Sequence, residues 1–221
     1  IHSVSEPGRN PGIFWYWNCD PSEATITRQL TEIRDAGFRS VSLHPMPDKF
    51  RKRDFFAGMR IPYLGKRYFR LFRFAVSECR RLGLSMILYD EGGWPSGTVC
   101  GEVARGNPEF AAQVLVRDDA GCIEPHRFSP SGWQTDLMNP LATRKFLRLV
   151  HERYWEAAGE EFGRTIRSIF TDEPRISGTV GSDRVPWSPF LPEFFRRRNG
   201  FSVETIYPLL FPGMEDSGDV R

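Results

Sequence analysis

The sequence lacks a charge excess of either sign and lacks any long apolar run. Its 221 residues carry 30 basic and 28 acidic side chains, which leaves a formal net charge of +2. Because the arginines are scattered over predicted helix faces rather than massed in one run, we do not expect a nucleic-acid partner. No apolar stretch approaches the roughly 20 residues that span a bilayer, so a membrane is not expected either. The 40% content of hydrophobic residues predicts a globular protein with a sizeable core.

Cysteine and histidine patterns for metal binding are absent as well. The four cysteines form no CxxC pair and stand in no zinc-type spacing with a histidine. We therefore expect free thiols. The N-terminal residues show no charged segment followed by an apolar block. Since the first residue is not Met, the earlier removal of a leader stays open, and the sequence assigns no cellular compartment.

Several catalytic signatures are missing too. The sequence contains no Gly-x-Ser-x-Gly elbow, no His-Glu-x-x-His zinc helix and no EF-hand loop. It has no Walker sequence, and no GxGxxG follows the first predicted strand. These absences exclude several hydrolase and metal-dependent classes and leave carboxylate chemistry as the best-supported one.

A unit made of a helix end, a glycine and a short strand recurs three times along the chain. It occupies residues 36–44, 82–91 and 162–173, and each copy ends in polar residues. An opening strand at residues 12–17 adds a fourth strand, and strands separated by helices favour parallel βα units over hairpins. We predict an α/β fold of the (β/α)8 TIM-barrel type with only about the first four βα units present. A doubly wound sheet uses the same repeating unit and stays open as the alternative.

Three helices separate these strands. The first is predicted to begin at Asp20-Pro21, with Asp20 as its N-cap and Pro21 in the first helical position. Apolar residues at three- and four-residue spacing predict a second helix over 66–82. Asn139-Pro140 repeats the cap-then-proline start of a third helix, which runs towards Gly163.

The remaining segments are predicted as loops, a hairpin and two terminal helices. Long excursions follow the second and third strands, at 45–63 and 92–136, and the latter contains a hairpin with its turn at 119–121. Beyond Pro174 we expect loop plus helix, with helices at 192–199 and 203–210. Residues 1–221 are thus interpreted as the N-terminal half of a catalytic barrel with an inserted hairpin near 112–135, the missing strands lying beyond Arg221.

The carboxyl ends of barrel strands converge on one mouth, which is where active sites of this fold lie. Two acid pairs fall there, and glycoside cleavage uses two carboxylates, one to protonate the leaving oxygen and one to attack or to activate water. In the loop 92–97, Trp94 is a possible wall for a sugar, or else packs under a tight turn. The candidate residues at the strand ends are Trp17, Asn18, His44, Asp90, Glu91, Asp172 and Glu173.

Only one member of each acid pair is expected to point into the mouth, because neighbouring side chains along a strand alternate in direction. In the second pair we choose Glu173, which has the longer reach and stands beside Pro174. Each acid has a structural alternative, which is to cap a following helix or to bind loop amides. His44 can orient a carboxylate or bind a sugar hydroxyl, and it can equally be structural. His151, within a helix, is not expected to be catalytic.

Four ordered motifs resemble glycoside hydrolase family 106, which is typified by α-L-rhamnosidases, and the resemblance runs from about Gly12 to Phe211. It implies an inverting exo-hydrolase that removes terminal α-L-rhamnose from polysaccharides with two glutamates and an active-site calcium ion. Only one of these glutamates maps onto this chain, as Glu173, the general acid. Its partner is expected beyond Arg221. The motifs are Phe14-Trp15-Tyr16-Trp17-Asn18, Tyr89-Asp90-Glu91 with Trp94-Pro95-Ser96-Gly97, Asp136-Leu137-Met138-Asn139-Pro140 and Phe170-Thr171-Asp172-Glu173-Pro174.

Three other interpretations stay open at this point. Related barrels with a glutamate after the fourth strand include retaining β-galactosidases, so the sugar and the stereochemical outcome are less certain than glycoside hydrolysis. The chain is alternatively a carbohydrate-binding protein without catalysis, given its 14% aromatic residues. A third possibility is an inactive fragment, because half a barrel leaves sheet edges and apolar strand faces uncovered.

Overall fold

The computed structural model describes residues 11–48, 50, 58–129, 132–176 and 183–211. The chain divides into two compact units, each assembled from two stretches of sequence. The first comprises Ile1–Cys100 and Leu147–Glu173, and the second comprises Gly101–Phe146 and Pro174–Arg221. None of the helices within the described residues is both long and apolar enough to cross a membrane. All four cysteines are free thiols, as expected.

A four-stranded parallel sheet forms the centre of the first unit. Its strands are β1 (Gly12–Trp17), β2 (Ser40–Pro45), β3 (Ser85–Tyr89) and β6 (Ile166–Phe170), hydrogen-bonded in that order. Because all four run in the same direction, their carboxyl ends lie at one edge of the sheet. The prediction of an α/β fold with parallel strands separated by helices is confirmed.

The helices between these strands follow the predicted pattern closely. They are α1 (Glu23–Asp35), α2 (Lys66–Leu82) and a longer helical stretch between β3 and β6. This stretch consists of α3 (Pro140–Leu147), a π-helical turn (Arg148–Glu152) and α4 (Arg153–Ala158). A π turn widens a helix by one residue and re-aims the side chains that it carries.

One predicted helix cap is wrong and another is confirmed. Ser22, not Asp20, caps α1, because its Oγ accepts a hydrogen bond from the Thr25 amide at 3.1 Å. Asp20 instead accepts the amide hydrogens of Arg60 and Ile61 at 2.7 and 2.8 Å, so it anchors the excursion that follows β2. At the start of α3, Asn139 caps as predicted, since its Oδ1 accepts the amide hydrogens of the two residues after Pro140 at 2.9 and 3.3 Å.

The two faces of the parallel sheet have different surroundings. Trp15 and Trp17 point towards the helices: Trp15 Nε1 donates to Gln29 of α1 at 2.9 Å, and the Trp17 ring lies 5.8 Å from that of Tyr68 in α2. Tyr68 also bonds the hydroxyl of Tyr154 in α4 at 2.6 Å. The opposite face of the sheet carries a cluster of aromatic side chains, and we call this cluster the open face. It consists of Phe14, Tyr16, His44, Tyr89 and Phe170.

The second unit is built on a three-stranded antiparallel sheet. Its strands are β4 (Gln113–Arg117), β5 (Ile123–Arg127) and β7 (Arg184–Trp187), with β4 in the centre. The β4–β5 hairpin confirms the predicted one, and its turn contains Gly121 at φ 85°. β7 lies in a segment that was predicted as loop. Its four residues include a proline and do not predict a strand, and they form one because they pair with β4.

Short helices complete the second unit near its core. They are α5 (Leu191–Asn199), a 3-10 turn (Val203–Ile206) and α6 (Tyr207–Leu210), which confirms the two predicted terminal helices. The buried cluster beneath them draws on both stretches of sequence that form this unit. Its members are Leu115, Val185, Trp187, Val203 and Phe211.

Candidate active site

The carboxyl edge of the parallel sheet collects the residues that were predicted to form a site. His44 lies on β2, Asp90 directly follows β3, and Asp172 stands two residues after the end of β6. The structure brings them together: His44 stacks on Tyr89 with ring centroids 3.6 Å apart, and the Tyr89 hydroxyl donates a hydrogen bond to Asp172. The predicted convergence of strand ends is therefore present, with Tyr89 at its centre.

Asp90 is buried and fully engaged by neighbouring hydroxyl groups. Ser96 donates to its Oδ1 at 2.6 Å and Thr171 donates to its Oδ2 at 2.7 Å. His151, on the π-helical turn, places Nε2 3.6 Å from the same Oδ2. Asp90 thus joins the end of β3, the loop after it, the end of β6 and the helical stretch, and a ligand cannot reach it directly.

Glu91 organises the loop that follows β3. Its carboxylate accepts the amide hydrogens of Gly92, Thr98 and Val99 at 2.9, 2.8 and 2.8 Å. Burial raises the pKa of Glu91 to about 7, although these three amides favour the charged form. Glu91 therefore has the structural role, binding loop amides, that the sequence left open.

His44 is buried at 2% exposure beneath the same loop. Its Nε2 lies 3.1 Å from the Gly93 carbonyl oxygen, and because a carbonyl only accepts, Nε2 carries the proton and donates. Nδ1 is buried and meets no hydrogen-bond partner among the described residues. Burial lowers the pKa of His44 to about 4, against the opposing effects of the Gly93 carbonyl and the Asp172 carboxylate. The imidazole is therefore neutral at pH 7.

Asp172 is the part-buried acid of the second pair. Besides the bond from Tyr89, its amide donates to Ser96 Oγ at 2.9 Å, and its carbonyl accepts the Ser96 amide hydrogen at 2.8 Å. Burial, together with the Asp172 carboxylate, raises the pKa of Tyr89. Tyr89 stays protonated and holds the orientation of Asp172 at the edge of the open face.

Glu173 is exposed, and its backbone has a φ of 43°. This left-handed conformation is uncommon for a residue with a side chain, and it lies three residues after the end of β6. No hydrogen bond or ion pair joins the Glu173 carboxylate to any residue within the described ranges. Of the four strand-end acids, Glu173 is the one whose carboxylate is freely accessible to a ligand.

The other predicted contact residues divide by exposure. Trp17 is a correction: at 2% exposure it packs edge-on against Trp15 and Tyr68 in the core, on the side of the helices, and cannot stack on a sugar. Asn18, one residue later, is exposed. Trp94 is part-buried, with its ring 5.9 Å from that of His44. Only Asn18, Trp94, Asp172 and Glu173 therefore remain accessible among the predicted residues.

Sequence reasoning missed several groups that hold this site together. Ser96 and Thr171 cannot be recognised from the sequence. Each hydroxyl bonds the Asp90 carboxylate in the folded chain, but in the sequence both residues resemble any other serine or threonine of a loop. Tyr89 was recognised only as the end of a strand. His151 was placed correctly in a helix, but the π turn that brings it beside Asp90 is not encoded in any motif.

The calcium ion implied by the family resemblance does not fit the residues described. Calcium takes six to eight oxygen ligands, whereas the oxygens of Asp90 and Glu91 already accept bonds from hydroxyls and amides. No group of three or more His, Cys, Asp or Glu side chains in the described part of the chain is arranged to hold a metal.

This edge of the sheet presents the exposed Glu173 carboxylate beside the hydrogen-bonded Asp172 and the exposed rings of the open face. The Ser96 hydroxyl bonds the Asp90 carboxylate, but both groups are buried. No protein-family model matches this chain, and no curated protein does.

Proposed function

We propose that this chain carries the catalytic acid of a glycoside hydrolase that acts on terminal α-L-rhamnose, and that Glu173 is that acid. The parallel sheet is then the first half of a (β/α)8 barrel. The four carboxyl strand ends form half of the mouth in which the sugar binds.

The observation that carries the proposal is the backbone conformation of Glu173. A left-handed non-glycine residue costs on the order of 1–3 kcal/mol and persists where the surroundings impose it, most often at functional sites. Here the surroundings are the two hydrogen bonds between Ser96 and Asp172, one between backbone groups and one from the Asp172 amide to the Ser96 hydroxyl, which hold the chain after β6. A carboxylate without a partner among the described residues, held at the carboxyl edge of the parallel sheet, supports this assignment.

Each neighbouring group has a role in this reaction. Glu173 donates its proton to the glycosidic oxygen as the bond to the sugar breaks. Asp172, oriented by Tyr89, offers a carboxylate to a sugar hydroxyl or to the positive charge that develops on the ring. Trp94 and Asn18 are the accessible side chains that can contact the sugar. The second carboxylate, which attacks or activates water, comes from outside these four strand ends.

The experiment is hydrolysis of a chromogenic α-L-rhamnoside by the protein and its Glu173→Gln variant. Loss of a general acid typically costs 10²–10⁴-fold in turnover, so we expect at least about a 100-fold loss with an unchanged circular dichroism spectrum. Glu124→Gln is the matched control, since Glu124 is an exposed acid on the hairpin of the other unit. Full activity in Glu173→Gln contradicts the proposal.

A second candidate function is carbohydrate binding without hydrolysis. It is favoured by the exposed rings of the open face, because aromatic rings stack on the apolar faces of sugars. Rhamnose affinity in calorimetry with no released product supports binding alone. If hydrolysis occurs, proton NMR of the first product anomer separates an inverting enzyme from a retaining, β-galactosidase-like one.

A further inference from the structure

The helical stretch between β3 and β6 contains a π-helical turn that its own sequence does not require. α3 and α4 are regular, whereas Arg148–Glu152 widens between them. This turn contains neither proline nor glycine, so the usual local causes of an irregular helix are absent. π turns are rare, and many of them lie at functional sites. What remains as a cause is a tertiary contact made by a side chain of the turn.

His151 makes such a contact with the buried Asp90. Its Nε2 lies 3.6 Å from Oδ2 of Asp90, which is an ion-pair distance and longer than a hydrogen bond. The Asp90 side chain is 1% exposed, and no lysine or arginine among the described residues forms an ion pair with it. A buried carboxylate is costly to keep charged without a positive or proton-bearing neighbour. His151 is that neighbour.

His151 lies on the side of the sheet that faces the helices. It lines a pocket there together with Leu88 of β3 and Ile169 of β6. The next residue of each strand, Tyr89 and Phe170, belongs to the open face, because side chains alternate along a strand. His151 therefore does not touch a sugar bound at the open face, and it can influence the site only through other residues.

Asp90 connects His151 to the segment that carries Glu173. Oδ2 of Asp90, the oxygen that faces His151, also accepts the hydroxyl hydrogen of Thr171 at 2.7 Å. Oδ1 accepts the hydroxyl hydrogen of Ser96 at 2.6 Å, and Ser96 is bonded to the backbone of the residue that precedes Glu173. Both oxygens of Asp90 therefore lead to the chain on which Glu173 stands.

We propose that His151 is a positioning residue for Glu173 and acts through Asp90. The ring nitrogen holds the Asp90 carboxylate in the one orientation in which each oxygen meets its hydroxyl donor. The left-handed backbone at Glu173 persists only where its surroundings are firmly held, and the two hydroxyls are part of those surroundings. The expected effect on turnover rests on the proposed function, whereas the ordering of residues 171–173 does not.

The first test is amide hydrogen exchange in His151→Leu, which removes the ring nitrogens and keeps an apolar side chain of similar size. The Ser96 and Asp172 amides, which bond each other's residues, should exchange about 5- to 10-fold faster. The Met86 amide, bonded to the Thr165 carbonyl oxygen at 2.7 Å near the other end of β3, should keep its rate. Unchanged rates, or an equal rise at all three amides, contradict a positioning role.

The second test is rhamnoside hydrolysis by three variants of His151. Misplacing a reacting group by about 1 Å can cost on the order of 100-fold, so we expect kcat to fall by about 10- to 100-fold in His151→Leu. KM should stay within about twofold, since His151 does not contact the sugar. His151→Gln, whose amide nitrogen can reach Asp90, should restore most of kcat. His151→Asn, with the same amide one carbon shorter, should resemble His151→Leu.

Glu152→Leu is the matched control. It places the same apolar side chain in the same π turn at an exposed position, and it should keep the kcat and the exchange rates of the parent. Parent-like kcat in His151→Leu, or a His151→Gln protein no faster than His151→Asn, overturns the inference and leaves the proposed function standing. If the parent chain hydrolyses no rhamnoside, the proposed function fails, and the exchange rates decide whether His151 orders residues 171–173.

Discussion

Glu173 is held in a backbone conformation that suits glycine better than glutamate. Its φ of 43° brings the Cβ close to the next carbonyl oxygen, and its carboxylate makes no bond within the described residues to offset that cost. A residue kept in this way is typical of sites where function and stability conflict. The acid pair was visible in the sequence, whereas the strain that distinguishes Glu173 from Asp172 was not.

We expect Glu173→Gly to stabilise the protein while abolishing activity. Glycine adopts positive φ without the steric cost, so the free energy of unfolding should rise by up to about 1 kcal/mol. Urea unfolding measures the change. Asn18→Gly is the control, because Asn18 is exposed but does not have a positive φ, and it should give no gain. A Glu173→Gly protein less stable than its parent contradicts the strain argument.

Two buried groups at the site oppose each other as pH changes. The pKa of His44 is lowered from 6.5 to about 4, so the unfolded chain takes up a proton first and stability is lost as pH falls through this range. The pKa of Glu91 is raised from 4.5 to about 7, so its contribution is full below pH 4.5 and is lost as pH rises to 7. The two effects nearly cancel in the parent protein.

Single substitutions should reveal these opposing effects. Relative to the parent, His44→Gln should gain stability as pH falls from 7 to 4.5, and Glu91→Gln should lose it, each by up to about 3 kcal/mol. His126→Gln, at an exposed histidine of the hairpin, is the control and should follow the parent. Unfolding free energies at pH 7 and 4.5 give the comparison, and equal slopes in all variants would show that neither group titrates as described.

At the scale of elements, the loop after β3 connects the predicted site residues. Residues 92–99 fold back over the strand ends, held by Glu91 from one side and by Ser96 from the other. The glycine-rich composition of the loop could be seen in the sequence. The path of the loop could not be predicted, because it depends on hydrogen bonds from Ser96 to Asp90 and Asp172, and Asp172 lies 76 residues from Ser96.

Ser96→Ala should loosen both β3 and β6 at their carboxyl ends. It removes a donor from buried Asp90 and an acceptor from the Asp172 amide, and leaving buried polar groups unpaired costs about 1–3 kcal/mol each. We expect a loss of about 2–4 kcal/mol in the free energy of unfolding, with lower turnover. Ser77→Ala is the matched control, since the Ser77 hydroxyl bonds only the Phe74 carbonyl in its own helix. Equal losses in the two variants contradict the bridging role.

At the scale of the whole molecule, each unit is assembled from stretches that are distant in sequence. β6 joins the parallel sheet from residues 166–170, after the chain has left to form the β4–β5 hairpin. β7 joins that hairpin only later.

The sequence alone determined the elements whose causes are local. β1, α2 and β3 have their predicted limits, since helical periodicity, a left-handed glycine such as Gly83 and a short apolar run act within a few residues. Only the tertiary structure decided which residues are reachable. It buried Trp17 among the helices, and it bonded Asp90 and Glu91 to the loop after β3 and Tyr89 to Asp172. It left the Glu173 carboxylate without a partner among the described residues. Those outcomes depend on packing and hydrogen bonds between distant segments, which no local pattern encodes.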